Sequence, residues 1–323
     1  AEAGFLTNET VFELTELPRR LLVLGGGPIG CELAQAFQRF GAQVTLVELE
    51  EQFLGREDPD AAAVLLAALQ RDGVDVRLAT KLERVEVAGG ARRAHLEHEG
   101  AVGSIDVDAI LVGVGRAPNV EGLGLDAVGV EHDRRGIVVD DFLRTTNRRV
   151  YACGDVCMAH KFTHAADFAA RTVIQNALFF GRGKLSALTI PWCTYTDPEI
   201  AHIGLYERDA AERGLELDTW SIPFADVDRS IAEGAEAGFV KIHTEKGRDR
   251  IVGATIVNRH AGDMIGEIGV AMAAGMGLGR LARVIHPYPT QAEAIRKLGD
   301  AFNRTRLTPT VKRLFDFVLK LRR

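Results

Sequence analysis

The sequence predicts an α/β chain, a doubly wound parallel sheet followed by a separate α+β domain. Three observations predict it. Leu21-Leu-Val-Leu24 is an apolar strand that runs straight into Gly25-Gly-Gly27-Pro-Ile-Gly30. A helical stretch over residues 29–40 and a strand over 43–48 follow at once, the order of a βαβ unit. Beyond Ile190, strand-like runs come together and helices follow them, which is the grouping of an α+β domain.

Taken in order, Gly25, Gly27 and Gly30 fill the positions of a G-x-G-x-x-G loop. Such a loop needs a tight turn, a close approach of pyrophosphate to bare backbone, and close packing of helix on strand. The candidate cofactor-contacting loop is therefore Gly25, Gly27, Pro28, Ile29 and Gly30. In the helix, Ile29, Leu33, Phe37 and Phe40 share one face, and Gly41 supplies the stop. The next strand ends at Glu48, about 20 residues after the loop, where a ribose ligand is expected. With Glu50 and Glu51 just beyond, that carboxylate would repel a 2′-phosphate, which favours NADH over NADPH.

Asp58 reads as an N-cap with Pro59 at the first helical position. The helix continues over 61–70 and Asp72-Gly73 ends it. Residues 74–78 read as a strand, 82–87 and 92–98 as a hairpin turned at Gly89-Gly90, and 105–114 as one more buried strand. Residues 17–118 thus form one Rossmann-type nucleotide domain with an inserted hairpin. Strands over 136–139 and 150–152 follow, then a helix from Thr163 to Phe180. The last domain shows strands over 220–224, 239–243 and 251–258 and helices over 261–274 and 291–302.

At 323 residues the chain is too long for one core, so two or three domains are expected. Its net charge of -6 and pI near 5.9 argue against nucleic acid as a partner. No apolar run approaches the ~20 residues that cross a bilayer, and no signal peptide precedes the first strand. No transmembrane segment and a cytoplasmic location are therefore expected. Cys31, Cys153, Cys157 and Cys193 do not make a secreted disulfide framework. Opening on Ala1, the sequence reads as the middle of a longer protein.

The second informative stretch is Thr145-Thr146-Asn-Arg-Arg-Val150-Tyr151-Ala152-Cys153-Gly154-Asp155. Gly154 lets backbone approach a ligand, and Asp155 offers a carboxylate to a polyol hydroxyl. Here the chain resembles the pyridine nucleotide–disulfide oxidoreductases, the family of glutathione reductase, lipoamide dehydrogenase and mercuric reductase. The resemblance runs from Leu17 to about Phe302. It implies that Gly154 and Asp155 bind the ribitol of FAD. It also implies that Gly115, Arg116 and Pro118 end the pyridine nucleotide domain, and that Glu32 lies near the nicotinamide–flavin contact. The helix start near His164 and Ala165 would point at the flavin pyrimidine edge, where its partial positive charge favours the reduced ring. The implied organisation is 1–16 as the end of a first FAD segment, 17–118 as the NAD(H) domain, 119–188 as the second FAD segment and 189–323 as a dimerisation domain that makes a homodimer. The family's first FAD segment and its redox-active C-x-x-x-x-C pair are not in this sequence, so the fragment alone is expected to be inactive.

Val284-Ile-His286-Pro287-Tyr288-Pro289-Thr290-Gln-Ala-Glu293 resembles the family's interface motif H-P-T-x-x-E, with Tyr288 in the His position. A phenol with a pKa near ~10 does not serve as a neutral-pH base as an imidazole near ~6.5 does. The substitution points to the mercuric-reductase-like branch and leaves Tyr288 and Glu293, with Glu32, as the catalytic candidates. His286 is either a substitute base or a structural histidine. No cysteine follows Cys193, so the vicinal pair that would deliver mercury is missing, and the acceptor stays open between a disulfide or thiol and a metal ion. Cys153 and Cys157 read as structural thiols, or as a redox pair one residue too closely spaced. No Cys/His cluster has zinc-site spacing, and no metal site is expected.

The expected activity is FAD-dependent, NADH-using electron transfer of the mercuric-reductase-like kind. The alternatives are a dihydrolipoamide dehydrogenase or NADH-dependent disulfide reductase, and a non-catalytic NAD-binding dimerisation module. The stretch 308–323 is basic and amphipathic, with Val311, Leu314, Phe315 and Val318 on one face. Packing on the interface domain or partner subunit is expected for it, with a membrane surface as the alternative.

Overall fold

Leu21, Leu22 and Val23 of β1 (Arg20–Leu24) are buried on both faces, as befits a central parallel strand. In the computed structural model, which describes residues 3–88 and 91–322, α1 (Pro28–Arg39) carries the chain from β1 to the parallel β2 (Gln43–Val47). Then α2 (Pro59–Asp72) leads to β3 (Asp75–Arg77), which adds outside β2. A separate antiparallel sheet follows, made of β4 (Thr80–Ala88), β5 (Ala91–His98) and β6 (Ala101–Val107). The chain returns as β7 (Ala109–Val112) on the other side of β1, giving the order β3-β2-β1-β7.

Three expectations change here. The single strand expected over 105–114 is two strands in two sheets. The chain turns between them at Asp108, whose carboxylate takes the Arg20 N–H (2.9 Å) and guanidinium (2.6 Å). The turn at Gly89-Gly90 lies outside the described residues. The fully buried side of α1 is Gly30, Cys31, Ala34 and Gln35; of the expected face, Leu33 and Phe37 pack partly buried against the core, while Phe40 is exposed. Asp58 occupies the N-cap position of α2 without capping it, because its carboxylate goes to Lys241 (3.2 Å) instead. Gly73 ends α2 in the left-handed region, as the sequence implies.

The chain forms two compact units, one of residues up to 114 together with those from 193 onward, the other of residues 115–192. In the smaller unit, β8 (His132–Asp133) and β9 (Gly136–Ile137) make a short hairpin, and α3 (Thr163–Leu178) follows. The strand expected over 150–152 is reduced to one bridge between Arg144 and Tyr151. Leu143, Met158, Ala165 and Ala169 form a core beneath α3.

The larger unit resumes with β10 (Pro191–Thr194), β11 (Glu199–Gly204), α4 (Glu207–Glu212), β12 (Leu217–Pro223), α5 (Asp228–Ala232), β13 (Phe239–Glu245) and β14 (Ile251–Asn258). The strands form an antiparallel sheet in the order β10-β11-β14-β13-β12. Against it lie α6 (Ala261–Ala273), α7 (Leu278–Leu281) and α8 (Glu293–Thr305), sharing Ile256, Ile265, Ile268 and Leu298 as core. The last helix, α9 (Pro309–Leu321), buries none of its side chains.

Within this unit the nucleotide sheet and the antiparallel sheet share a core in which Leu65 and Leu69 of α2 meet Ile200 and Val257. Each such side chain contributes about 1.5–3 kcal/mol on full burial. Polar bonds surround that core. Lys241 bridges Asp58 (3.2 Å) and Asp60 (2.5 Å), and Gln35 pairs with the Asp197 backbone in both directions (2.9 and 2.7 Å). The Tyr206 hydroxyl donates to Glu57. Among the described residues no helix is long and apolar enough to cross a membrane.

Candidate functional site

The glycine loop divides its labour as follows. Gly25 sits at φ +98, and a Cβ there would lie 2.6 Å from the Gly113 carbonyl oxygen. A Cβ on Gly30 would lie 2.0 Å from the Gly25 carbonyl oxygen. Both glycines are therefore needed by the loop itself. A Cβ on Gly27, at the N-cap of α1, would meet no protein atom within 4 Å. That open position, at the start of a helix whose first backbone acceptor is the Gly27 carbonyl (Cys31 N–H, 3.0 Å), suits a pyrophosphate. The amides of Ile29 and Gly30 precede that first bond and lie where an anion would take them; Pro28 has none to offer.

Glu48 closes the loop from the end of β2. Its carboxylate accepts the Gly26 N–H at 2.7 Å through one oxygen and the Glu50 N–H at 3.1 Å through the other. An ionised carboxylate has about four acceptor positions, so two are left for ribose hydroxyls. The residues present thus fit the adenosine half of a dinucleotide. Gly26 was not singled out in the sequence, yet a Cβ there would lie 2.8 Å from the Phe53 Cβ.

Glu32, one turn along α1, accepts the Tyr195 backbone N–H at 2.8 Å. Burial pushes its carboxyl upward, and that hydrogen bond offsets part of the rise. Cys193 and Tyr195 stand beside it on β10 and its end, and sequence reasoning gave neither a role. Burial, helped by Glu199 and Glu32, pushes the Cys193 thiol well up. Burial likewise raises the Tyr195 phenol. All these residues belong to the larger unit, where a contact 163 residues long in sequence leaves no local signal.

In the smaller unit, Asp155 is half exposed and pairs with Arg116 at 3.3 Å, and Arg116 also donates to the Lys161 carbonyl at 3.1 Å. The two motifs read separately in the sequence, around Gly115-Arg116 and Gly154-Asp155, are therefore joined. Gly115 (φ +143) has open space where a Cβ would stand. Gly154 (φ +79) does not. A Cβ on Gly154 would lie 3.1 Å from Ala166, so helix packing and a left-handed backbone already favour this glycine. In α3 the first backbone bond runs from Ala166 N–H to the Phe162 carbonyl (3.0 Å), so the amides of His164 and Ala165 precede the ladder. The His164 ring stacks on Phe162 at 5.4 Å and bonds the Pro191 carbonyl at 2.7 Å. Asp155, the open Gly115 and these amides fit the ribitol and ring of a flavin. Phe168, Leu178, Phe179 and Phe180 of the same unit are exposed.

All four cysteines are free. Burial raises the Cys153 thiol and pushes Cys157 up to about 12, so both are protonated at neutral pH. Among the described residues no three His, Cys, Asp or Glu side chains group as metal ligands.

On the last domain the Tyr288 hydroxyl donates to Asp228 at 2.9 Å, an α5 residue that the sequence did not suggest. That bond raises an already weakly acidic phenol. Glu293 is held by Arg296 at 2.7 Å, so the two candidates of the interface motif have different partners. His286 is largely buried and meets both carboxylate oxygens of Glu267, at 3.0 and 3.1 Å.

Comparison with known proteins divides the chain differently from its two compact units. Residues 3–174 match the family described as pyridine nucleotide-disulphide oxidoreductase, and residues 190–298 its dimerisation domain. A mercuric reductase of Bacillus cereus is 34% identical over 91% of this chain and 47% of its own length. A dihydrolipoyl dehydrogenase of Thermus scotoductus is 34% identical over 93% of this chain and 67% of its own. Among solved structures, the Cu(II) complex of an HOCl-induced flavoprotein disulfide reductase from Escherichia coli superposes with a TM-score of 0.84 at 29% identity, covering 92% of this chain and 67% of that one. The chain spans about half the length of the mercuric reductases it matches.

Proposed function

Because the chain belongs to the pyridine nucleotide-disulphide oxidoreductase family, flavoenzymes whose members bind FAD and NAD(P)H, we propose that its glycine loop binds NADH and that the protein it represents moves electrons from NADH to a metal-ion or disulfide acceptor. FAD, when bound, supplies the two-electron relay between reduced nicotinamide and acceptor. In this reading 17–118 is the NADH domain, 1–16 and 119–188 serve the flavin, and 189–323 makes a homodimer.

The amides of Ile29 and Gly30 would hold the pyrophosphate against the open Gly27, with Gly25 and Pro28 shaping the loop. Glu48 would take the ribose hydroxyls and repel a 2′-phosphate. Asp155, steadied by Arg116, would bind a ribitol hydroxyl beside Gly115 and Gly154. The amides of His164 and Ala165 would stabilise negative charge at the flavin pyrimidine edge. Glu32 is placed to position Tyr195 next to the nicotinamide end. Tyr288, whose single hydroxyl proton goes to Asp228, would offer its oxygen lone pairs to the electron acceptor, with Glu293 as its neighbour, and would not act as a base. That chemistry, the mercuric reductases among the relatives and the Cu(II) bound to the Escherichia coli flavoprotein favour a metal ion over lipoamide.

The observation that carries the reading is the open Gly27 at a helix start whose loop is closed by the Glu48 carboxylate. Its test is titration of the full chain with NADH, followed by assays of the intact protein with Hg(II), Cu(II), lipoamide and oxidised glutathione. Absence of NADH binding overturns the reading, and turnover with lipoamide alone reassigns the acceptor. A second reading, a nucleotide-binding dimerisation module, is favoured by the uncovered Phe168, Leu178, Phe179 and Phe180 beside the flavin half-site. A purified chain that binds NADH but stays colourless with added FAD supports it.

A further inference from the structure

The helix α9 (Pro309–Leu321) has an apolar side that nothing in the chain covers. Leu314, Phe315, Phe317, Val318, Leu319 and Leu321 are all exposed, from 37% for Val318 to 71% for Leu321. The helix is well formed, with the Thr308 hydroxyl accepting the Val311 N–H at 3.3 Å and Pro309 at its first position. At about 100° per residue these side chains and Val311 span an arc of roughly 200°. Lys312, Arg313, Asp316 and Lys320 occupy the rest, with Lys312 and Arg313 at its two edges. Of the two packing partners expected for this helix, its own interface domain or a partner subunit, the first does not cover it.

Three features say what covers it. First, charge: residues 304–322 carry six basic side chains against the single acid Asp316, in a chain whose net charge is -6. Second, width: packing on one protein neighbour uses a stripe of about 100°, so a partner helix would leave half of this arc wet, whereas a lipid interface covers all of it. Third, placement: the match to the family's dimerisation domain ends at residue 298, ahead of α9. Two copies pairing through α9 would also bring Lys312, Arg313 and Lys320 against their own kind.

We propose that α9 docks the protein on an anionic bilayer surface, lying in the interface plane with its phenyl and leucyl side chains among the acyl chains and its basic edges at the lipid phosphates. The inference stands apart from the nucleotide reading, since no residue of α9 belongs to either cofactor loop.

The test is co-sedimentation of the full chain with vesicles of phosphatidylcholine, and of phosphatidylcholine doped with phosphatidylglycerol. Binding is expected only with the doped vesicles, and high salt should release it. Phe315→Asp combined with Val318→Asp should abolish it. Lys312→Glu combined with Arg313→Glu, which spares the apolar arc, should weaken it by more than about tenfold. Neither pair should alter NADH titration or the folded spectrum, which separates loss of docking from loss of fold. Sedimentation that ignores lipid charge and salt, or survives both pairs, overturns the proposal. So does an absence of vesicle binding in a chain whose dimer, by light scattering, dissociates on Phe315→Asp with Val318→Asp; that result would give the face to a second copy.

Discussion

Glu48→Gln isolates the charge proposed to select the dinucleotide. The amide keeps the shape and one carbonyl oxygen for the Gly26 N–H, now 2.7 Å from a carboxylate oxygen, while the N–H of the exposed Glu50, now 3.1 Å from the other oxygen, passes to water, so the loop is expected to hold. What disappears is one negative charge. A 2′-phosphate about 5 Å from that charge, with an effective dielectric between about 20 and 80, is disfavoured by about 1–3 kcal/mol per unit charge. The NADPH-to-NADH dissociation-constant ratio should therefore fall roughly 5- to 100-fold in the variant. NADH itself should weaken by about 1 kcal/mol, because a hydroxyl-to-carboxylate bond becomes a neutral one. Glu48→Ala is a different experiment. It strands the buried Gly26 amide and should cost about 1–3 kcal/mol of stability as well. The assay is nicotinamide fluorescence titration with each nucleotide, alongside chemical denaturation. Equal affinities of the unaltered chain for NADH and NADPH, or an unchanged ratio in Glu48→Gln, would refute the reasoning.

Gly27→Ala and Gly30→Ala should part company. The first adds a methyl where the protein leaves open space, so the chain should fold normally and bind NADH about tenfold or more weakly. The second drives a Cβ to 2.0 Å from the Gly25 carbonyl and should cost about 1–3 kcal/mol or more in denaturation. His202 is fully buried, donates to the Gly204 carbonyl (3.2 Å) and accepts from Thr255 (2.9 Å), and burial pushes its pKa down to about 3. The unfolded chain takes up that proton near pH ~6.5 while the folded chain does not, so stability is lost as pH falls, by about 1.4 kcal/mol per unit below that point. Urea midpoints that do not drop between about pH 7 and about pH 5 contradict this; His243, lowered by burial too, acts in the same direction. Finally, Asp228→Asn should let Tyr288 ionise at lower pH, because the hydrogen bond to the carboxylate is the chief cause of its rise. Ultraviolet titration against a Tyr288→Phe control reads the change, and an unmoved curve breaks the assignment of the pair.

Much of the frame was legible because it rests on local pattern. The buried run Leu21–Val23, the glycine loop, the α1 and α2 helices and the strands β12 to β14 lie close to where spacing places them. The α1 face departs from expectation at Phe40, although Leu33 and Phe37 pack against the core, for a reason equally plain. Periodicity marks large apolar residues, whereas close packing on a central strand selects Gly30, Cys31 and Ala34, so Phe40 ends in solvent. The break at Asp108 was invisible because an apolar run does not say which sheet each half will join. At Gly154 the motif suggests a ligand, and the fold adds a constraint of its own from Ala166, a helix residue whose position the motif alone does not fix.

The sequence by itself determined the glycine loop between β1 and α1, the strand that ends at Glu48 and the grouping into a parallel and an antiparallel part, since each follows from local pattern. Only the tertiary structure decided the partners of the charged groups: Glu32 with Tyr195, Asp58 with Lys241, Arg116 with Asp155, Tyr288 with Asp228. Those pairs are set by which sheet edge and helix end the topology brings together. A carboxylate takes the nearest donor that folding leaves within hydrogen-bond reach, and chain spacing does not carry that information.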